Sequence, residues 1–343
     1  MITLHCRPAG EAPSEIRIGQ DIVRSVPQWC GSRRAFAVVD AAVVGAVPFV
    51  TSWPHHVAAG GEAHKTLAAC ETVLRAMVRA GLDRESLLVA IGGGAVGDAA
   101  GLCASLFLRG IELWQVPTTL LAMVDSAVGG KTAANLPEGK NLVGTVHPAS
   151  LVVIDVDFVR TLPEPQFHSG LAEAVKMAIG LDAELFALLE REREAVLRRD
   201  PEAVTEVVRR SIAAKIAVVE GDPREHGRRR LLNLGHTLGH ALEARSNGQR
   251  AHGLCVARGL HFALDLAKDL GALAAADRDR CTALLRAYGF ERDALPPRAE
   301  LVPFLARDKK VVGSTVHFAL PTGIGQSRVE PIELQRLVQR LEN

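Results

Sequence analysis

At 343 residues and 48% hydrophobic content, the chain is long enough to build two cored domains. A net charge of +1 gives no global field to draw in nucleic acid or a membrane surface, so neither is expected as a partner. No apolar run is long enough for a transmembrane helix, and the start, MITLHCRPAGEAPSE, lacks the basic-then-apolar profile of a secretory signal. The six cysteines (Cys6, Cys30, Cys70, Cys103, Cys255, Cys281) are scattered without a C-x-x-C, which points to reduced thiols in a cytoplasmic protein.

Through the first third, short apolar runs alternate with helical stretches. Ala35–Val39 ends in Asp40, and His56–Ala58 leads into a loop holding Glu62 and Lys65. Leu67–Ala80 reads as an amphipathic helix closed by Gly81. Leu87–Ile91 is a buried strand followed at once by Gly92-Gly93-Gly94-Ala95-Val96-Gly97-Asp98; a helix is expected from about Ala99 to Leu108, then a strand at Leu113–Val116. Such alternation predicts a parallel sheet covered on both faces. The G-x-G-x-x-G of Gly92–Gly97 is the pattern by which backbone N–H groups approach a pyrophosphate at a helix N-terminus. It predicts dinucleotide binding against a purely structural glycine turn, with Asp40 a better ribose partner than Glu112.

Next, Pro117-Thr118-Thr119 places hydroxyls after a strand end. Asp125-Ser126 runs into Gly129-Gly130-Lys131-Thr132, Asn135 and Gly139-Lys140-Asn141 follow, and these residues make poor core and a good anion-binding loop. Asp155 and Asp157 end the last expected strand, and a domain boundary falls near Asp155–Pro163, giving domains of 1–158 and 159–343.

The second half reads as helical. Thr161-Leu162-Pro163-Glu164 opens a long helix in which Glu173 and Lys176 share a face within an apolar stretch, where an unpaired charge is costly. Pro201–Glu220 is a helix carrying Lys215, and Glu225 and Arg229 follow at i, i+4. In LLNLGHTLGHALEARSNGQRAH, Asn233, His236 and His240 fall on one helical face, with His252 after a turn at Ser246-Asn247-Gly248. Two histidines at i, i+4 either chelate one ion or divide between a metal and a substrate; a stripe hydrogen-bonded to backbone is the other reading. Helices are expected over Gly253–Leu270, Ala275–Tyr288 and Pro331–Leu341, and Asp308-Lys309-Lys310 precedes a strand at Thr315–Leu320. Lysine is confined to Lys65, Lys131, Lys140, Lys176, Lys215, Lys268, Lys309 and Lys310 among 40 Lys+Arg. Most of these sit in glycine-, asparagine- or glutamate-rich motifs, as point charges kept where arginine's planar fork does not serve.

The ordered motifs GGGAVGDAAG, LRG, PTTLLAMVDSAVGGKT, GKN, TLP, GLAEAVK, LNLGHTLGH and HG resemble those of the 3-dehydroquinate synthase family of sugar-phosphate cyclases, relatives of the iron-dependent alcohol dehydrogenases and glycerol dehydrogenase. The resemblance runs from about Asp40 to Lys310. It implies an α/β fold, with an N-terminal Rossmann-like parallel-sheet domain, an all-helical C-terminal metal-binding domain and an active site in the cleft between them. By the same resemblance, Glu173, His236 and His252 hold a divalent metal, zinc or cobalt, and His240 touches substrate. NAD contacts are implied for Asp40, Glu62, Lys65, Gly94, Ala95, Val96, Asp98, Thr118, Thr119, Asp125, Ser126, Lys140, Thr161 and Leu162. Catalytic and substrate contacts are implied for Asp125, Lys131, Asn141, Lys176, Lys215, Glu225, Arg229, Asn233, His240 and Lys310, with Arg109 reaching across a homodimer interface.

The implied substrate is a seven-carbon sugar-acid phosphate bearing about three negative charges, matched by Lys131, Lys215, Arg229, Lys310 and His240. The implied chemistry is transient oxidation by NAD of a ring hydroxyl polarised by the metal, phosphate elimination, reduction, and aldol closure, within the shikimate pathway. Sibling cyclases (of the 2-epi-5-epi-valiolone, 2-deoxy-scyllo-inosose or amino-dehydroquinate synthase type) and a metal-dependent polyol dehydrogenase are the alternatives. Substrates without a carboxylate give no reason for both Lys215 and Arg229. The chain departs from the family at His252-Gly253-Leu254-Cys255-Val256, where HGEAV is common, at Gln166, where an acid is usual, and at Ala133-Ala134-Asn135.

Overall fold

A computed structural model describes residues 1–247, 249–306 and 311–341. Lys310, with Asp308 and Lys309, lies outside the described residues. The chain forms two compact units, Met1–Leu162 and Pro163–Asn343.

The first unit is built on a seven-stranded sheet. Its strands are β1 (Ile2–Cys6), β2 (Ser14–Gly19), β3 (Ala35–Asp40), β4 (His55–Ala58), β5 (Leu87–Gly92), β6 (Glu112–Pro117) and, after a small hairpin of β7 (Ala134–Leu136) and β8 (Gly139–Val143), β9 (Leu151–Asp155). The order is β1-β2-β9-β6-β5-β3-β4; β1 is antiparallel to β2 and every other pair is parallel. β5 and β9 are buried along their whole length, as strands covered on both faces must be. From β3 the chain steps outward to β4, then crosses back to β5 and proceeds the other way. The carboxyl ends of β3 and β5, at Asp40 and Gly92, therefore flank a topological switch point, where open α/β sheets bind ligands.

Helices α1 (Val26–Cys30), α2 (Leu67–Arg79) and α3 (Gly94–Leu106) complete this unit. α3 begins five residues before the expected Ala99, so Gly94 and Gly97 belong to the helix rather than to a loop ahead of it. The reason is close packing. A Cβ at Gly97 would lie 3.0 Å from Gln115 Oε1 on β6, and one at Gly101 would lie 2.8 Å from Thr132 Cγ2.

The second unit is mainly helical: α4 (Glu164–Gly180), α5 (Ala183–Arg191), α6 (Arg193–Leu197), α7 (Pro201–Val219), α8 (His236–Arg245), α9 (His252–Asp269), α10 (Ala275–Ala287), α11 (Arg298–Ala306) and α12 (Leu334–Arg340). It is not helical throughout. β10 (Val311–Val312), β11 (Thr315–Gly323) and β12 (Gln326–Glu333) form an antiparallel sheet. Pro331, expected to open a helix, instead lies in β12, at the edge of this sheet among the described residues, where a strand can take a proline. α4 and α9 are buried along most of their length and pack on each other, and α8 packs on α9.

Candidate functional site

The second unit brings Glu173, His236 and His252 together with all three ligand atoms within 4.8 Å of one another. Glu173 comes from buried α4, His236 opens α8 and His252 opens α9. Glycines let these helices meet backbone to backbone. A Cβ at Gly259 would lie 1.8 Å from Gly235 O, one at Gly239 3.1 Å from Cys255 O, and one at Gly253 2.4 Å from Ser169 Cα on α4. Gly253 N–H also donates to Ser169 Oγ at 2.9 Å.

One expectation is corrected here. Asn233 does not share a helical face with His236 and His240, because it ends a separate 3₁₀ turn, Arg228–Asn233, and the helix begins only at His236. Gly235 breaks the two apart at φ +77, a left-handed conformation held against Val256 O and Leu260 of α9.

Glu173 is fully buried, with Oε1 at 3.2 Å from His252 Nε2 and 3.5 Å from His236 Nε2. Lys176 Nζ lies 2.6 Å from Oε2, in an ion pair that misses hydrogen-bond geometry. Burial alone would raise the Glu173 pKa; Lys176, His236 and His252 outweigh it and hold the carboxyl well below its usual range. His236 Nδ1 donates to Leu234 O at 3.1 Å, while His252 sets Nδ1 3.0 Å from Glu243 Oε2 and Nε2 toward Glu173, so that with protein groups alone both its nitrogens face acceptors. Burial lowers the His252 pKa, but hydrogen bonds and charge from Glu173 and Glu243 raise it to about 10 when only protein groups surround it. Both rings thus spend Nδ1 on an acceptor and turn Nε2 toward one carboxylate oxygen. This nitrogen–nitrogen–oxygen set suits a divalent cation with positions left open.

The other expected residues of the unit lie on these helices or on segments beside them. The His240 ring is 5.1 Å from that of His236 and 6.2 Å from that of His252. Lys176 and Lys215 are buried, as is Arg229. α4, α7 with Lys215, and the 228–233 turn with Arg229 pack on one another. Glu225 adopts φ +62 and accepts from Asn233 Nδ2. That strained loop is gathered by Asp222, whose carboxylate accepts N–H from His226 (2.8 Å), Gly227 (2.7 Å) and Arg229 (2.9 Å). Burial opposes ionisation of Asp222, but these three donors prevail and lower its pKa.

In the first unit, the switch point gathers the expected cofactor residues. A Cβ at Gly60 would lie 2.6 Å from Asp40 Oδ2, one at Gly92 3.1 Å from Asp40 Cβ, one at Gly93 3.0 Å from Thr119 Cγ2, and one at Gly94 2.9 Å from Ser126 Oγ. Asp40, Gly92–Gly94, Thr119 and Ser126 therefore line one cradle at the start of α3, where the first-turn N–H groups of Ala95 and Val96 lack intrahelical partners. Thr118 is buried, its N–H on Gly92 O at 2.9 Å. Asp125 and Ser126 sit in a turn of π-helix, Ala122–Ser126, and Ser126 Oγ is buried without a hydrogen-bond partner. Lys65, 2% exposed, pairs with Asp98 Oδ2 at 2.6 Å and Glu62 Oε1 at 3.5 Å. Asn135 Nδ2 donates to Glu62 Oε2 at 2.8 Å. The shape and the unpartnered hydroxyl fit a dinucleotide.

Other expected residues of this unit lie elsewhere. Lys131, Lys140 and Asn141 are exposed on the excursion around β7 and β8. Thr161 and Leu162 close the unit on and after the 3₁₀ turn Val156–Thr161. Arg109 is exposed at φ +71 beyond the far end of the 13-residue α3, roughly 20 Å from the cradle.

Sequence reading missed Glu243 and Asp222. Glu243 had a signal, standing at i+7 from His236 and i+3 from His240 on one face of α8. Asp222 had none, since its role depends on the loop closing around it.

The profile of the 3-dehydroquinate synthase N-terminal domain matches residues 55–169, and that of the C-terminal domain matches residues 170–311. The chain belongs to the 3-dehydroquinate synthase family. It is 44% identical over 275 residues to the 3-dehydroquinate synthase of Symbiobacterium thermophilum, covering 79% of this chain and 76% of that protein. Among solved structures, a 2-epi-5-epi-valiolone synthase from Streptomyces hygroscopicus subsp. jinggangensis, with NAD+ and Zn2+ bound, is 29% identical at TM-score 0.87 over 97% of this chain and 96% of that one. A 2-deoxy-scyllo-inosose synthase, complexed with carbaglucose-6-phosphate, NAD+ and Co2+, shares the fold at TM-score 0.86 and 24% identity over 99% of both chains. A probable glycerol dehydrogenase from Sinorhizobium meliloti, 16% identical at TM-score 0.68 over 95% of both chains, extends the shared fold beyond the 3-dehydroquinate synthase family.

Proposed function

We propose that the chain converts 3-deoxy-D-arabino-heptulosonate 7-phosphate to 3-dehydroquinate and phosphate, as a phosphate-eliminating lyase of the shikimate pathway. The observation that carries the reading is the Glu173–His236–His252 cluster, with buried Lys215 and Arg229 on packed elements of the same unit. Bound NAD would borrow and return a hydride while zinc or cobalt polarised the reacting hydroxyl. Glu173, His236 and His252 would hold the metal. Asp40, Gly94–Val96, Thr118, Thr119, Asp125 and Ser126 would seat the dinucleotide, with the ion-paired Lys65–Asp98–Glu62 group fixing the loop beside it.

Arg229 would fork onto the substrate carboxylate beside the Lys215 charge, with Glu225 and Asn233 holding that loop. His240 would contact the substrate or its phosphate, Lys131 and Asn141 would contact the substrate, and Lys140 would serve the dinucleotide. Arg109, a helix length from its own cradle, would serve the partner subunit of a homodimer. A cytoplasmic setting belongs to the same proposal, supported by six buried cysteines kept as thiols.

The test is phosphate release by the purified protein with NAD and zinc, offered the keto-acid phosphate or sedoheptulose 7-phosphate. The expected result is a preference of roughly 30- to 1000-fold for the keto-acid phosphate, the discrimination of about 2–4 kcal/mol that one lost charge-assisted contact costs. Equal rates would move the assignment to a sibling cyclase.

A further inference from the structure

Glu243 lies outside the metal cluster, and its carboxylate meets the ring of His252 on the side away from that cluster. Nδ1 faces Glu243 Oε2 at 3.0 Å while Nε2 of the same ring faces Glu173 Oε1 at 3.2 Å. Glu243 therefore cannot reach an ion held between the three ligand atoms, yet it fixes which nitrogen is offered to that ion. We infer that Glu243 is a positioning residue for metal binding, an outer carboxylate that locks His252 in the Nδ1–H tautomer and tunes the strength of its Nε2 donor.

Three features support this. His236 obtains the same service from a neutral backbone carbonyl, Leu234 O, so the two rings are held by acceptors of different charge. His252 is also the more exposed ring, with 30% of its side chain accessible against 10% for His236, so packing alone restrains it less. Finally, Glu243 and His236 occupy the same face of α8 two turns apart, so a single helix supplies one ligand and the holder of another. That ties His252, at the start of α9, directly to α8. A carboxylate behind a metal-bound histidine typically accounts for 10- to 100-fold in metal affinity.

The inference rests on the proposed metal assignment, and the experiment separates the two. Zinc dissociation constants are measured by chelator competition for the full chain, for Glu243→Gln and Glu243→Ala, and for His236→Ala as reference, together with the visible spectrum of each cobalt-loaded protein. Glu243→Gln keeps size and an acceptor but removes the charge; Glu243→Ala removes both. Zinc binding weakened about 10-fold or more in both Glu243 variants, with a shifted cobalt spectrum and an unchanged melting temperature of the metal-free protein, is the expected result. Dissociation constants within twofold of the unsubstituted chain in either folded variant would overturn the inference while leaving the metal assignment intact, provided His236→Ala loses zinc. If His236→Ala bound zinc as tightly as the unsubstituted chain, the metal assignment itself would fall, and the inference with it.

Discussion

On the proposed reading, much of this protein's specificity rests on a single buried charge, Arg229. It is 2% exposed, its N–H is held by Asp222 and its guanidinium donates to Pro223 O, so its position is set before any substrate arrives. A preorganised fork of this kind recognises a carboxylate bidentately, and methionine offers similar length without charge or donors. Arg229→Met should lower kcat/KM for the keto-acid phosphate by roughly 30- to 1000-fold, about 2–4 kcal/mol. Zinc content and NAD affinity should stay at their original values, since Arg229 is outside both the metal cluster and the first unit. Loss of zinc from this variant would place Arg229 in the metal's support rather than the substrate's.

At the scale of elements, the metal cluster exists because α8 and α9 approach at backbone distance. Gly259 is the tightest point, where an added Cβ would meet a carbonyl oxygen at 1.8 Å, and a carbonyl in a packed helix pair cannot swing aside as a flexible side chain could. Gly259→Ala should force the helices apart and destabilise the protein by about 1–3 kcal/mol. It should also draw His236 from His252 and reduce bound zinc. Gly221→Ala is the matched control, because a Cβ there has open space around it. Thermal unfolding and metal analysis of the two variants decide the point; a Gly259→Ala protein with full zinc and the original melting temperature would refute it.

At the scale of the whole molecule, the proposed chemistry draws on both units in every turnover, the cradle at Gly92–Gly94 in one and the Glu173 cluster in the other. A hydride borrowed and returned within one turnover leaves no net redox change. Steady-state reaction should release phosphate with no growth of NADH absorbance, and one NADH appearing per turnover would instead mark a dehydrogenase.

Several of these features were legible in the chain alone. The buried runs at Ala35–Val39, Leu87–Ile91 and Leu113–Val116 made the parallel sheet readable, because a strand covered on both faces must be apolar throughout. The lysines and histidines set in glycine-rich motifs marked candidate site residues, because few other roles suit charged groups in such company. What tertiary structure alone decided lies where partners are remote in sequence. Glu243 became the holder of His252, nine positions further on, only when α9 packed against α8. Asn233 left the histidine face because Gly235 took φ +77 against α9, a conformation that no helical periodicity announces. The β11–β12 hairpin went unforeseen because Pro331 reads locally as a helix start, and only the sheet's order puts its strand at an edge among the described residues. Composition and periodicity record which faces must be buried, and so determined the elements and the residue types of the site. Which buried groups would meet was decided by close packing between segments far apart in the chain, through contacts that leave no local trace in the sequence.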